Sequence, residues 1–355
     1  MNVTTCGTLP YPVHVGRGLL AALPDLVPGV TQAHRIAVIT DETVGPLFAA
    51  PVAQSLGEDR CILVSLPPGE EHKTRETWSR VTDALLDARF GRDSMLIALG
   101  GGVIGDLTGF VAATYLRGVP VLQVPTTLLA MVDASIGGKT GVDTAHGKNL
   151  VGAFHPPVAV VADLDTLDTL PLEERVNGIA EALKHGVIAD AAYFDRVAGA
   201  DITSADWHAI VAGSVAIKTR VVAADEREHG LRKVLNLGHT IGHAVEQLMA
   251  YTVPHGACVA FGLLAETRIA IALGLCDDAL EVQIRRALER FGLPTMMPAV
   301  LTAEAIVAAT AGDKKSRGGI VEYALPARCG SMAGAERGYG IPVSREIAIA
   351  SLQQA

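Results

Sequence analysis

The chain has 355 residues, with 38 acidic against 29 basic side chains and a formal net charge of -9, a balance that argues against nucleic acid as a partner. Apolar residues make up 49%, with 37 glycines and few aromatics, which suits an α/β enzyme of two domains and excludes a disordered or fibrous protein. The five cysteines are scattered without a Cys-x-x-Cys pair, so neither a disulfide framework nor a thiolate metal site is expected.

Met1 to Gly18 lacks a basic start followed by a sustained apolar core, so no signal peptide is expected and the reading is cytoplasmic. Arg35–Thr40 is a short β-branched run with Asp41 at its end, as in the first strand of a nucleotide-binding fold. Cys61–Leu66 reads as a second strand, and Pro67–Lys73 as a turn into a helix over Arg75–Ala88. Met95–Leu99 reads as a third strand. It runs into Gly100-Gly-Gly-Val-Ile-Gly-Asp106, where consecutive glycines let the backbone approach a pyrophosphate at a helix N-terminus. Val119–Val124 is a further strand, followed by Thr126 and Thr127, whose hydroxyls can cap the next helix. Val158–Ala162 is expected to close a parallel sheet covered on both faces, with ligands beyond the carboxyl ends of its strands.

The segment from Asp133 to Asn149 contains Gly-Gly-Lys-Thr, but the first glycine that a triphosphate-binding loop requires is Asp133 here. What remains reads as a loop rich in Gly, Lys and Asn that suits an anion. Helical periodicity dominates from Glu173 onward. Glu181 and Lys184 share a helix surface, flanked by apolar neighbours that imply burial. Cys258–Cys276 is the longest apolar segment, yet Glu266 and Arg268 lie in its middle, so it reads as a buried helix rather than a membrane span. His239 and His243 are four apart and project from one helix face, with His255 shortly after. Three imidazoles, or two with a carboxylate, suit a catalytic zinc ion, while a paired histidine can equally be a polar seam.

Gly-Gly-Gly-Val-x-x-Asp-x-x-Gly, Val-Asp-x-Ser-x-Gly-Gly-Lys-Thr-Gly, Gly-Lys-Asn, Ala-Glu-x-x-Lys, Gly-Leu-Arg, Leu-Asn-x-Gly-His-Thr-x-Gly-His and His-Gly occur in this order between about Asp41 and Lys315. Together they resemble the 3-dehydroquinate synthases, within the wider sugar phosphate cyclase family. The resemblance implies an α/β fold: an N-terminal Rossmann-like domain over 1–167 and a mainly α-helical metal- and substrate-binding domain over 168–355. It implies Glu181, His239 and His255 as ligands of Zn2+ or Co2+, with His243 turned to substrate phosphate instead. Lys139, Asn149, Asn236 and one of Lys314 or Lys315 join His243 there, and Arg117 reaches the phosphate across a homodimer interface.

By the same resemblance Lys218 and Arg232 hold a substrate carboxylate, and Asp133, Lys148, Lys184 and Glu228 line the polyol and metal. NAD is expected at Asp41, Glu70, Lys73, Gly101, Gly102, Val103, Asp106, Thr126 and Thr127, with Lys139 and Lys148 close by. The implied reaction takes a seven-carbon keto sugar acid phosphate through NAD oxidation, phosphate elimination, re-reduction and an intramolecular aldol closure. The pattern is departed from at Thr43 and Asp143, each in place of a usual Asn, and at Ala257-Cys258-Val259 in place of Glu-Ala-Val. The competing readings are an amino-analogue cyclase, a glycerol dehydrogenase-type oxidoreductase and a non-catalytic dinucleotide-binding protein. Lys218 and Arg232 favour a substrate that bears a carboxylate.

Overall fold

The computed structural model describes residues 3–310 and 321–353. It divides into two compact units: residues up to Pro171 together with Trp207–Thr219, and Leu172–Asp206 with the chain from Arg220 onward.

The first unit is built on strands β1 (Val3–Cys6), β2 (Val13–Gly16), β3 (Ile36–Asp41), β4 (Cys61–Leu66), β5 (Met95–Gly100), β6 (Val121–Pro125) and, after a hairpin of β7 (Lys139–Thr144) and β8 (Gly147–Phe154), β9 (Ala159–Asp163). The sheet order is β1-β2-β9-β6-β5-β3-β4, and every pairing is parallel except β1 with β2. Strands β3, β5, β6 and β9 are buried throughout, as continuous apolar runs covered on both faces should be. One core cluster joins Ile36, Val38, Ile97 and Val161 to helix α1 (Gly45–Leu56). On the other face Ala37, Ile39 and Leu96 pack with helices α2 (Arg75–Asp87) and α3 (Gly102–Thr114). Thr74 caps α2, its hydroxyl accepting the Thr77 N–H.

Two expectations are corrected here. β9 does not close the sheet, because β2 pairs beyond it and β1 beyond that. Four-residue strands are too short to carry a readable alternation. The Gly- and Lys-rich stretch from residue 139 is not a loop but the antiparallel β7–β8 hairpin, whose side chains are largely polar or small and so hide the period of two.

The second unit is mainly helical. Helix α4 (Leu172–Ala189) is buried from Gly178 to Ile188, and helix α5 (Trp207–Ala224) crosses the unit boundary at Thr219. Helices α6 (His239–Leu248) and α7 (His255–Ala272) supply Ile241, Val245, Phe261, Ala265 and Ile269 to one core. α7 has the length and hydropathy to cross a membrane, but most of it is buried inside the protein. Its two mid-helix charges are both paired. Glu266 accepts the N–H groups of Gly238 and Ile241 at 2.6 and 3.0 Å, and Arg268 donates to Glu281 at 2.9 Å.

Glu266 therefore caps the start of α6 from a neighbouring helix, satisfying donors that a helix N-terminus leaves unpaired. The contact requires close approach. A Cβ on Gly262 would lie 1.9 Å from the Gly238 carbonyl oxygen, and Gly238 itself has φ +79. Gly262→Ala is expected to lower the unfolding free energy by about 3 kcal/mol, measured by urea denaturation, because backbone rather than a movable side chain must give way.

Candidate active site

In the first unit the chain passes from β3 out to β4 and then returns across β3 to β5, so the topological switch point lies between β3 and β5. Ligands of open α/β sheets bind outside the strand ends at such a point. Asp41 ends β3, and its Oδ1 accepts the N–H groups of Thr43 and Val44 at 2.8 and 2.9 Å. Gly100 ends β5. Gly101 then caps α3, whose first residues are Gly102 and Val103, so an N-terminal helix dipole opens directly at the strand end. Side chains at the glycines would crowd this opening: a Cβ on Gly101 would lie 3.2 Å from Thr127, and one on Gly102 3.3 Å from Ala134. Thr126 is buried and donates its N–H to Gly100, while the Thr127 hydroxyl accepts the Ala130 N–H at 3.2 Å.

Lys73 is the charge centre beside this crevice. Its Nζ lies 2.8 Å from Asp106, 3.4 Å from Glu70 and 4.0 Å from Asp143, and Glu70 also lies 3.4 Å from Lys148. Burial works against the Lys73 charge, but the three carboxylates outweigh it and hold the ammonium protonated. Asp143 is pushed up to about 6, by burial first, against the pull of Lys73 and of the Asn149 N–H that its oxygen accepts.

Lys218, deeply buried on α5, donates to both the backbone oxygen and Oδ1 of Asp133 at 2.6 Å. Asp133 stands in a π-helical turn, Ala130–Ala134, a widened geometry that re-aims side chains. Lys139 begins β7, and Lys148 and Asn149 lie on β8, with Asn149 left-handed at φ +53. Arg117 is exposed at the end of α3 after a turn in which Leu116 and Arg117 both have positive φ.

The second unit brings Glu181, His239 and His255 together. Glu181 on α4 is fully buried, with Oε1 3.3 Å from His239 Nε2 and 3.4 Å from His255 Nε2, and with Lys184 ion-paired to its other oxygen. A tetrahedral ion with bonds of about 2.1 Å has ligand edges of about 3.4 Å, so these atoms already stand at metal-ligand spacing. Each histidine is the first residue of its helix. The other ring nitrogens face oriented acceptors, His239 Nδ1 toward the Leu237 carbonyl at 3.2 Å and His255 Nδ1 toward buried Glu246 at 3.7 Å, an arrangement that turns the Nε2 lone pairs inward.

Burial alone would raise the Glu181 carboxyl. Lys184 and the two imidazoles overturn this and hold it well below the usual range. Burial and Lys184 lower His239, while for His255 the two carboxylates outweigh burial and raise it to about 9. This donor set of two imidazoles and one carboxylate fits a catalytic zinc site. His243, exposed on α6 with its ring 5.0 Å from that of His239, lies outside this triplet, and with Glu246 and His255 it forms a second group of possible ligands.

Nearby in the same unit, Asn236 donates to Glu228 at 2.5 Å, and buried Arg232 donates to the Glu226 carbonyl. Lys314 and Lys315 lie outside the described residues.

Sequence reasoning missed Asp225 as anything more than a charge. Its carboxylate accepts the N–H groups of His229, Gly230 and Arg232 at 3.0, 2.7 and 3.0 Å, and so organises the turn that carries Glu228 and Arg232. Glu246 and Glu266 were missed as well. The one signal was an acid inside an apolar helical stretch.

Residues 63–177 match the family profile described as 3-dehydroquinate synthase N-terminal, and residues 178–316 the C-terminal one. A 3-dehydroquinate synthase of Symbiobacterium thermophilum is 44% identical over 331 residues, covering 91% of this chain and 92% of the relative. One from Rhodospirillum rubrum is 46% identical over 335 residues, covering 90% and 86%. Among solved structures, 2-epi-5-epi-valiolone synthase from Streptomyces hygroscopicus with NAD+ and Zn2+ bound superimposes with a TM-score of 0.86. It shares 29% identity, over 100% of this chain and 99% of that one.

Glu246→Gln is expected to weaken zinc binding about ten- to a hundredfold by chelator competition, with little change in the apo-protein melting temperature, since only a partner of a ligand is altered. Glu181→Gln should purify without stoichiometric metal.

Proposed function

Since the chain belongs to the 3-dehydroquinate synthase family, we propose that it converts 3-deoxy-D-arabino-heptulosonate 7-phosphate to 3-dehydroquinate and phosphate, a step of aromatic amino acid biosynthesis, as a homodimer in the cytoplasm. The observation that carries the reading is the buried Glu181–His239–His255 triplet at metal-ligand spacing. The first unit, for its part, carries a nucleotide-type strand-end crevice with Asp41, the glycine triplet and Lys73.

When bound, NAD takes up and returns a hydride, and the metal ion favours the ionised form of the alcohol that is oxidised. The chain's own residues do the rest. Lys139, Asn149, Asn236 and His243 are assigned to the phosphate, where cationic and amide donors favour the leaving dianion over the bound ester. Lys218 and Arg232 are assigned to the carboxylate. Both are buried and already oriented, Lys218 by Asp133 and Arg232 by the backbone hydrogen bonds to Asp225 and Glu226, so little ordering remains to be done when substrate arrives. Buried cations of this kind suit a substrate bearing a carboxylate. Lys184 keeps Glu181 ionised and so preserves its ability to act as a ligand.

Arg117 supports the dimer. It is an exposed arginine held by a turn with two consecutive positive φ values, a conformation that residues with side chains rarely adopt without purpose. The proposal assigns it to the phosphate bound by the partner subunit.

Phosphate release from the heptulosonate phosphate with NAD present should be rapid, should stop when a chelator strips the metal, and should leave no net NADH absorbance. Release that is indifferent to the chelator, or accumulating NADH, would contradict the reading. Mixing Arg117→Ala with Lys139→Ala subunits, each nearly inactive alone, should restore about a quarter of wild-type turnover, since half of a statistical dimer population is mixed and each mixed dimer holds one intact site. No recovery after demonstrated subunit exchange would remove Arg117 from the partner's site.

A further inference from the structure

Asp143 lies near the end of β7 and is assigned no role in the reaction above. Three contacts converge on it. Its backbone N–H donates to the Lys73 carbonyl at 2.7 Å, which ties the hairpin to the turn before α2. Its Oδ1 accepts the Asn149 N–H at 2.8 Å, and the same oxygen lies 4.0 Å from Lys73 Nζ. The circuit then closes through Asn149 to its chain neighbour Lys148, from Lys148 to Glu70 at 3.4 Å, and from Glu70 back to Lys73 at 3.4 Å.

The arrangement answers a conformational problem. Asn149 has φ +53, a left-handed backbone that costs an L-residue about 1 kcal/mol or more unless something holds it. The Asp143 carboxylate holds it. The β7–β8 register is irregular between Val142 and Thr144, beside Asp143. A short connection through Thr144 and Gly147 completes the turn.

We propose that Asp143 is a positioning residue that locks the Lys148–Asn149 turn to the Glu70–Lys73 turn, so that the nucleotide-side and phosphate-side groups are set as one body. It touches neither ligand. The inference rests on the roles proposed above for Lys73, Lys148 and Asn149. It predicts that losing the acceptor at residue 143 is felt by both ligands at once, whereas a neutral acceptor there suffices for the turn.

The test compares Asp143→Ala and Asp143→Asn with wild type in steady-state kinetics, in NAD titration by calorimetry and in thermal melting. D143A should raise both the KM for the phosphate substrate and the Kd for NAD about tenfold, an effect of the size expected when donors are displaced by a fraction of an ångström. D143N, which keeps an oxygen for the Asn149 N–H, should restore the KM to within about twofold of wild type. A merely structural role would lower the melting temperature and the active fraction and leave KM and Kd alone, and that result overturns the proposal. D143N as impaired as D143A overturns it too. Should D143A fail to fold, Asp143→Glu takes its place, since it keeps the charge but displaces the acceptor by a methylene, and a wild-type KM in folded D143E counts against the proposal. Failure of wild type to release phosphate would sink the assigned reaction, while the NAD titrations would still report on Asp143.

Discussion

A carboxylate with no solvent exposure organises the helical unit. Glu181 sits within an α4 segment that is buried over eleven consecutive residues, Gly178 to Ile188. An isolated carboxylate there would cost several kcal/mol and would take up a proton. It stays charged because Lys184 follows one turn later and two imidazoles face its other oxygen. The ion pair leaves Oε1 aimed at the two rings, which is what a divalent cation needs, so the cost of burying the charge is offset in part by the ligand set it creates. The packing around it serves the same end. Gly262 lets α7 approach α6 closely enough for Glu266 to cap the helix that begins with His239, and Asn177 on α4 accepts the Gly256 N–H at 2.5 Å, next to His255.

The first unit uses the opposite sign by the same logic. Lys73 is the buried charge there, and Asp106, Glu70 and Asp143 are its partners. Its position follows from topology, since the parallel strands place every carboxyl end on one edge and the switch between β3 and β5 opens the crevice there. The glycine triplet keeps that opening clear, and the helix dipole of α3 adds positive potential where a pyrophosphate is expected.

Much of this was legible in the sequence. Strands β3, β4, β5, β6 and β9 announce themselves as short apolar runs, and their structural bounds differ from the expected ones by two residues at most. The Glu181, His239 and His255 set was legible only through the family resemblance, because a helix period can pair His239 with His243 but cannot say that α4, more than fifty residues earlier in the chain, supplies the third ligand. Residues that act through others left no pattern. Asp225 organises a turn through three backbone N–H groups, Glu266 caps a helix it does not belong to, and Asp143 holds a left-handed Asn149. Each of these is a long-range or irregular contact, invisible to periodicity. β1 and β2 were missed for a different reason, since four residues cannot show an alternation and β2 joins the sheet through the distant β9.

The central claim is that two imidazoles and one carboxylate, with no thiolate, hold the metal on which turnover depends. X-ray absorption of the zinc-loaded protein tests it most directly. The expected result is a first shell of nitrogen and oxygen scatterers only, at about 2.0–2.1 Å, with the multiple-scattering signature of two imidazoles and with both lost in Glu181→Gln. A sulfur scatterer near about 2.3 Å, or an unchanged spectrum in the Glu181 variant, would contradict the account.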